Sequence, residues 1–75
     1  SKIKNFLVCG GGMREALIAQ ILAGLDDAKV TVYDVFPVDV EAKVRNNMKI
    51  LVEKEIVTEA DVDKIVSKIS FTQDL

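Results

Sequence analysis

Three consecutive glycines are the residues of this chain whose types and spacing best suit ligand chemistry. Gly10, Gly11 and Gly12 follow the apolar run FLVC at residues 6–9 and precede an alanine- and leucine-rich stretch. A glycine turn between a strand and a helix lets the backbone approach a pyrophosphate, and the helix N-terminus supplies free N–H groups and a favourable dipole. The pattern predicts a phosphate-binding loop, with a tight strand–helix turn that binds nothing as the alternative.

An acidic residue, Asp34, closes the next β-branched stretch, VTVYD, about 20 residues after Gly12. At that spacing in a dinucleotide fold, a carboxylate accepts hydrogen bonds from the ribose hydroxyls and repels a 2′-phosphate. The sequence therefore predicts NAD as cofactor, with Gly10, Gly11, Gly12 and Asp34 as its binding residues. A solvated acid at a strand end is the alternative interpretation of Asp34.

Glu15 stands where the dinucleotide fingerprint G-x-G-x-x-G requires its third glycine. A glutamate there needs room and brings negative charge towards the pyrophosphate, so we expect any NAD binding to be weaker than micromolar. Leu17 is also bulkier than close helix–strand packing favours. A structural interpretation of Glu15 is that an acid in the first turn stabilises the helix.

The composition excludes several classes of protein. The chain has 10 Lys+Arg, 12 Asp+Glu and a net charge of −2, which argues against nucleic acid as a partner. It has no histidine and one cysteine, so it offers neither a Ser-His-Asp site nor a structural zinc site. No apolar run approaches the roughly 20 residues that span a membrane. The lone Cys9, expected in the core, suits a reducing compartment, and we predict a cytoplasmic protein.

The hydrophobic pattern predicts six elements of alternating type. The first strand, an unbroken apolar run, is expected to be buried on both faces, and the first helix is so apolar that it should be covered on most sides. Gly24 is expected at the C′ position of that helix. The predicted strands are residues 3–9, 30–34 and 70–72. The predicted helices are residues 13–23, a second helix that starts at Pro37 and runs to about residue 57, and the stretch after an N-cap at Thr58.

Taken together, the glycine loop, Asp34 and the order of the predicted elements resemble those of a known family. Residues 4–22, residues 30–35 (VTVYDV) and residues 51–75 resemble the N-terminal NAD-binding segment of the L-3-hydroxyacyl-CoA dehydrogenases, including 3-hydroxybutyryl-CoA dehydrogenase. Residues 18–20 (IAQ) fall on that family's post-glycine I-A-Q, Asp34 falls on its ribose-binding acid, and TQDL resembles its T-T-D-L. The two helices between the second and third strands also match the family's layout.

The resemblance implies an α/β fold, a half-Rossmann β-α-β-α-α-β unit with a three-stranded parallel sheet in order 3-2-1, as a single segment over residues 1–75. It implies the NAD-binding segment of an oxidoreductase of fatty acid metabolism. The family's catalytic histidine and its glutamate partner have no counterpart here, so the isolated chain should be inactive, with no catalytic and no metal-binding residues. The alternative is a ligand-free relic, truncation or engineered scaffold with a structural or self-association role.

The first strand has a further implication for assembly. In a complete fold of this kind a fourth strand pairs with it, and here that strand is missing. An apolar edge without charge or proline invites pairing with another chain. We therefore expect a homodimer through the first strand, in which either the two first strands pair antiparallel into a six-stranded sheet or the two chains exchange elements. If Val8 lies at the contact, Val8→Lys should weaken this assembly.

Overall fold

The chain forms a small α/β structure of three parallel strands and three helices, in a computed structural model that describes residues 2–75. The strand order is β1-β2-β3 with β2 in the centre, which confirms the predicted order 3-2-1. The elements are β1 (Lys4–Cys9), α1 (Met13–Ala23), β2 (Ala28–Tyr33), α2 (Val40–Glu53), α3 (Glu59–Ser67) and β3 (Ile69–Thr72).

The sheet is covered on one face only. In register across the three strands, one face carries the rows Phe6–Val30–Ile69 and Val8–Val32–Phe71, which are buried or half-buried against the helices. The other face carries Leu7, Thr31 and Ser70, and Leu7 is 54% exposed. The prediction that the first strand is buried on both faces is therefore wrong, because all three helices pack on the same side. Cys9, expected in the core, is exposed on the open face.

Helix α1 packs on the sheet through a stripe of small residues. Ala16, Ala19 and Ala23 are fully buried, which allows the helix axis to approach β1 and β2 closely. The expectation that this helix is covered on most sides is wrong, because nothing among residues 2–75 lies on its outer flank. The exposed apolar side chains there are those of Met13, Leu17, Ile18 and Ile21.

Helices α2 and α3 form an amphipathic hairpin over the rest of the sheet. The predicted stripe of α2 is confirmed, since Val40, Val44 and Met48 are buried in the core. Helix α2 begins at Val40, after its N-cap at Asp39, so the predicted start at Pro37 is wrong. It ends at Glu53, earlier than predicted, because the amides of residues 56 and 57 turn back to bond the carbonyl of Leu51.

Both hairpin helices begin at a side-chain cap. The carboxylate of Asp39 accepts from the amide of Ala42 at 3.0 Å. The hydroxyl of Thr58 accepts from the amide of Asp61, whose carboxylate accepts in turn from the amide of Thr58. The N-cap predicted at Thr58 is thus a complete capping box.

The end of α1 is held by a lysine from the far end of the chain. The ammonium of Lys68, at the end of α3, donates to the carbonyls of Ala23 at 3.1 Å and Leu25 at 2.8 Å. Gly24, which lies between Ala23 and Leu25, is the C-cap of α1 and has φ −76°, a right-handed conformation. The prediction that Gly24 is the C′ residue is therefore wrong. A positive charge on the last carbonyls of a helix is stabilising.

The two layers give a thin molecule with extents of 37 × 32 × 16 Å. Within residues 2–75, no helix combines the length and the apolar character needed to cross a bilayer.

Candidate functional site

The glycine loop and Asp34 meet at the carboxyl edge of the sheet. Strands β1 and β2 end in register at Cys9 and Tyr33, and the amide of Gly10 donates to the carbonyl of Tyr33 at 2.6 Å. The next residues on the two strands are therefore the glycines and Asp34. The structure brings together all four residues that the sequence predicted for the site.

Asp34 is tied directly to the glycine loop. Its Oδ2 accepts from the amide of Gly11 at 2.9 Å, and its Oδ1 accepts from the amide of Phe36 at 3.0 Å. The backbone amide of Phe36, and next that of Gly11, hold the pKa of Asp34 below its usual range. The carboxylate is ionised at neutral pH, and each oxygen keeps a lone pair for a further donor.

Two of the three glycines are required by the fold itself. Gly10 has φ +104°, a backbone conformation that residues with a Cβ rarely adopt. Gly11 is buried, and a Cβ there would lie 2.9 Å from a methyl group of Val38. These two glycines would be needed with or without a ligand.

Gly12 is different, because the fold leaves it open. It is exposed and is the N-cap of α1, where no side chain of residues 2–75 accepts from the helix amides. A Cβ at Gly12 would meet only Oε1 of Glu15, at 2.8 Å. The free N–H groups of this first turn are the part of the loop able to receive an anion.

Glu15 occupies the approach to these N–H groups. Its side chain folds back over the loop, where a Cβ at Gly10 would lie 3.2 Å from its Cγ. Arg14, itself largely exposed, holds the second carboxylate oxygen of Glu15 at 3.1 Å. The carboxylate therefore sits where an incoming phosphate would bring its own negative charge. Leu17, expected to hinder close packing, points to solvent instead, and the alanine stripe provides that packing.

Two residues that support the site were not identified from the sequence. Val38 packs on Gly11, and the side-chain amide of Gln73 donates to the carbonyl of Val35 at 3.0 Å. Gln73 thereby fixes the segment after β2 from the end of β3. Its position in the closing TQDL was the available signal, whereas nothing in the pattern around Val38 marked that residue.

The site offers anion-binding amides and a carboxylate that can accept from hydroxyl groups. No group of three or more His, Cys, Asp or Glu residues that could hold a metal ion occurs in the described part of the chain. The site thus has the donors and acceptors to bind a phosphorylated, hydroxyl-bearing ligand.

Comparison with protein-family models found no match, and comparison with curated proteins found no significant one.

Proposed function

We propose that this chain is the NAD-binding segment of a protein like the 3-hydroxyacyl-CoA dehydrogenases, with its elements arranged as a half-Rossmann β-α-β-α-α-β unit. One observation carries the proposal: the carboxylate of Asp34 lies 2.9 Å from the amide of Gly11, beside the uncapped N-terminus of α1. An ionised ribose acceptor and a phosphate-binding helix end therefore adjoin at one sheet edge, the arrangement that a dinucleotide requires.

In this proposal the two ends of the site bind different parts of the cofactor. The pyrophosphate lies on Gly12 and the first-turn amides of α1, and the adenosine ribose donates to the lone pairs of Asp34 that the loop leaves free. A 2′-phosphate would approach the ionised Asp34 directly. NAD should therefore bind more tightly than NADP.

Glu15 keeps the affinity low. Two unit charges about 5 Å apart interact by roughly 3 kcal/mol at an effective dielectric constant of 20. Even half of that repulsion weakens binding by about tenfold. We expect a Kd for NAD between micromolar and millimolar.

The oxidoreductase activity of such a protein would need residues outside this chain. No histidine is present to take the proton from a substrate hydroxyl. The isolated chain should bind NAD without oxidising a 3-hydroxyacyl-CoA.

Titration of the isotopically labelled chain with NAD, followed by amide chemical shifts, tests the proposal. The amides of Gly11, Gly12 and Met13 should shift most, and NADP should produce smaller shifts at equal concentration. Gly12→Ala should abolish these shifts without unfolding the chain, because its Cβ meets only the flexible carboxylate of Glu15. Gly24→Ala, at a right-handed C-cap far from the loop, is the matched control and should bind NAD normally.

Glu15→Gln sharpens the test. Removing the charge should raise the affinity for NAD by about tenfold, whereas Glu53→Gln on α2 should leave it unchanged. If neither the unmodified chain nor the Glu15→Gln variant shows shifts at millimolar NAD, the glycine loop is not a dinucleotide site.

That negative result would favour a second candidate, a ligand-free scaffold with a structural or association role. The supporting observation is that Glu15 already places a carboxylate at the loop, while Gly10 and Gly11 have structural reasons of their own. In this alternative the glycines form a tight turn and nothing more.

A further inference from the structure

The free side of β1 is an unpaired strand edge. The amides of Lys4 and Gly10 donate to main-chain carbonyls on the β2 side, at 2.7 and 2.6 Å. Successive residues of a strand direct their main-chain groups alternately, so those of Asn5, Leu7 and Cys9 point to the free edge. Three N–H and three C=O groups per chain are available there for another strand.

An apolar flank of α1 overhangs this edge. Helix α1 packs over β1 and β2, while α2 and α3 pack against β3. On α1, Ala19 faces the sheet and Leu22 packs in the core shared with the hairpin. Met13 and Leu17, four residues apart, lie on the opposite flank and are exposed, whereas Ile21 faces away from the sheet. We call this flank, together with the free edge of β1, the edge surface.

We propose that a second copy of this chain occupies the edge surface, with the two β1 strands paired antiparallel about a two-fold axis at Leu7. The inference rests on the strand edge and the helix flank, and it does not depend on the proposed cofactor.

The register follows from the edge groups. When Leu7 lies opposite its own copy, Asn5 lies opposite Cys9 of the second copy, and Cys9 opposite its Asn5. All three are positions whose main-chain groups point outwards, so they form hydrogen-bonded pairs of an antiparallel ladder. Six main-chain hydrogen bonds then use every free edge group of both chains, whereas centring the axis on Asn5 or Cys9 leaves some unpaired.

Charge supports the same register. Lys2 and Lys4 lie at one end of β1, and Glu15 lies against Gly10 and Gly12 at the other. In the Leu7-centred pairing, Lys4 lies opposite Gly10 of the second copy and Lys2 opposite Gly12. The lysines of each strand therefore approach the Glu15 carboxylate of the second copy, which already pairs with Arg14 there, so the contribution of charge to the register is small.

The helix flank supplies the area that a strand edge alone lacks. A two-fold axis perpendicular to the sheet keeps both helical layers on the same side, so the two α1 flanks face each other above the joined strands. Specific interfaces bury more than about 1,000 Å² in total. Met13 and Leu17 from both copies add apolar surface to the main-chain contact, and the assembly becomes a six-stranded sheet with helices on one face.

Sedimentation of the full chain at about 100 μM tests the assembly, since dimerisation depends on protomer concentration. The unmodified chain should be a dimer. Leu7→Pro removes an edge N–H that β2 does not use, and Leu17→Lys places charge on the helix flank; each should give a folded monomer. Ile50→Lys, an equally drastic change at an exposed apolar position of α2, is the matched control and should remain dimeric.

A cysteine cross-link tests the register. In the Asn5→Cys variant the new thiol lies opposite Cys9 of the second copy, with Cα atoms about 5.5 Å apart, within reach of a disulfide. Within one chain the two positions are too far apart along β1 to bond. Mild oxidation should give a covalent dimer from Asn5→Cys but little from the unmodified chain or from Asn46→Cys, an exposed change on α2.

A monomer at this concentration would overturn the proposal and leave the edge to a strand of a different chain or of a longer form. A dimer that survives both Leu7→Pro and Leu17→Lys would also overturn it. So would a dimer in which Asn5→Cys forms no cross-link, since its register would differ.

Discussion

The single helical layer on the sheet has two parts, which we call the α2–α3 side and the β1–α1 side, and they are built by different means. On one side, the α2–α3 hairpin closes on itself, with a side-chain cap at the start of each helix and Arg45 bonded to both Glu41 and Asp63 at 3.0 Å. On the other side, α1 begins at Gly12 without a side-chain cap. Its outer flank is apolar and exposed.

The comparison shows which part of the chain is self-sufficient. The hairpin presents mostly polar residues outwards, with Ile50 and Ile56 as exposed exceptions, and its apolar stripes face the core. The β1–α1 side leaves open amides, an unpaired strand edge and apolar side chains, all of which a bound anion or another chain could cover. Function in this molecule is therefore expected on the β1–α1 side.

The largest expected difference between the two sides is in the stability lost when a methionine is truncated to alanine, because the chain has one methionine on each side. Met48→Ala on α2 empties a site only 5% exposed and should lower the free energy of unfolding by about 2–4 kcal/mol. Met13→Ala on α1, at 62% exposed, should change it by less than about 0.5 kcal/mol in the monomer. Urea denaturation, with Leu7→Pro as the background to hold the chain monomeric, measures both. Equal losses would mean that the α1 flank is covered within one chain.

A smaller effect is expected from the caps. Thr58→Ala removes the capping box of α3 and should cost about 1 kcal/mol of stability. Gly12→Ala, at the uncapped start of α1, removes no such bond and should cost less than Thr58→Ala. The urea midpoints of the two variants give the comparison directly, and a greater loss at Gly12 would show that the α1 terminus has a cap this structure lacks.

The smallest expected effect is a dependence on pH that involves one carboxylate on each side. Backbone amides lower the pKa of Asp34, mainly that of Phe36, and lower the pKa of Asp61, mainly that of Thr58. Their stabilisation is complete above the unfolded pKa of about 3.9 and is lost as the pH falls through the lower folded values.

Urea midpoints between about pH 2 and pH 6 should therefore fall on the acidic side, and both Asp34→Asn and Asp61→Asn should flatten the fall. A profile that stays unchanged in the double variant would show that other carboxylates carry the acid sensitivity.

Much of the fold could be predicted because local signals agreed with the final packing. The β-branched run of β2, the apolar stripe of α2 and the capping pattern at Thr58 each specify an element without reference to the rest of the chain. The sheet order, by contrast, was an implication of the family resemblance and not of any local signal.

The errors concern burial. An apolar run such as FLVC is equally typical of a strand buried on both faces and of an edge strand with one face open to solvent. Only the placement of the helices decides which of the two the strand is. For the same reason Cys9 was expected inside and is outside.

The candidate site was predictable in its composition but not in its detail. Spacing alone placed the glycines and Asp34 together, because the carboxyl ends of adjacent parallel strands share an edge. The contact of Gly11 with Val38 and the fold of Glu15 over the loop depend on how a later segment and one side-chain rotamer fill the space, which no pattern encodes.

The hydrogen bonds from Lys68 to the end of α1 couple the local unfolding of the two sides. Because Lys68 belongs to the segment that joins α3 to β3, separation of that segment from the sheet would release the carbonyls of Ala23 and Leu25 at the same moment. Amide protons in the last turn of α1 should then exchange with solvent together with those of β3, as one cooperative unit. Acetylation of Lys68 would uncouple them, so that the last turn of α1 frays first.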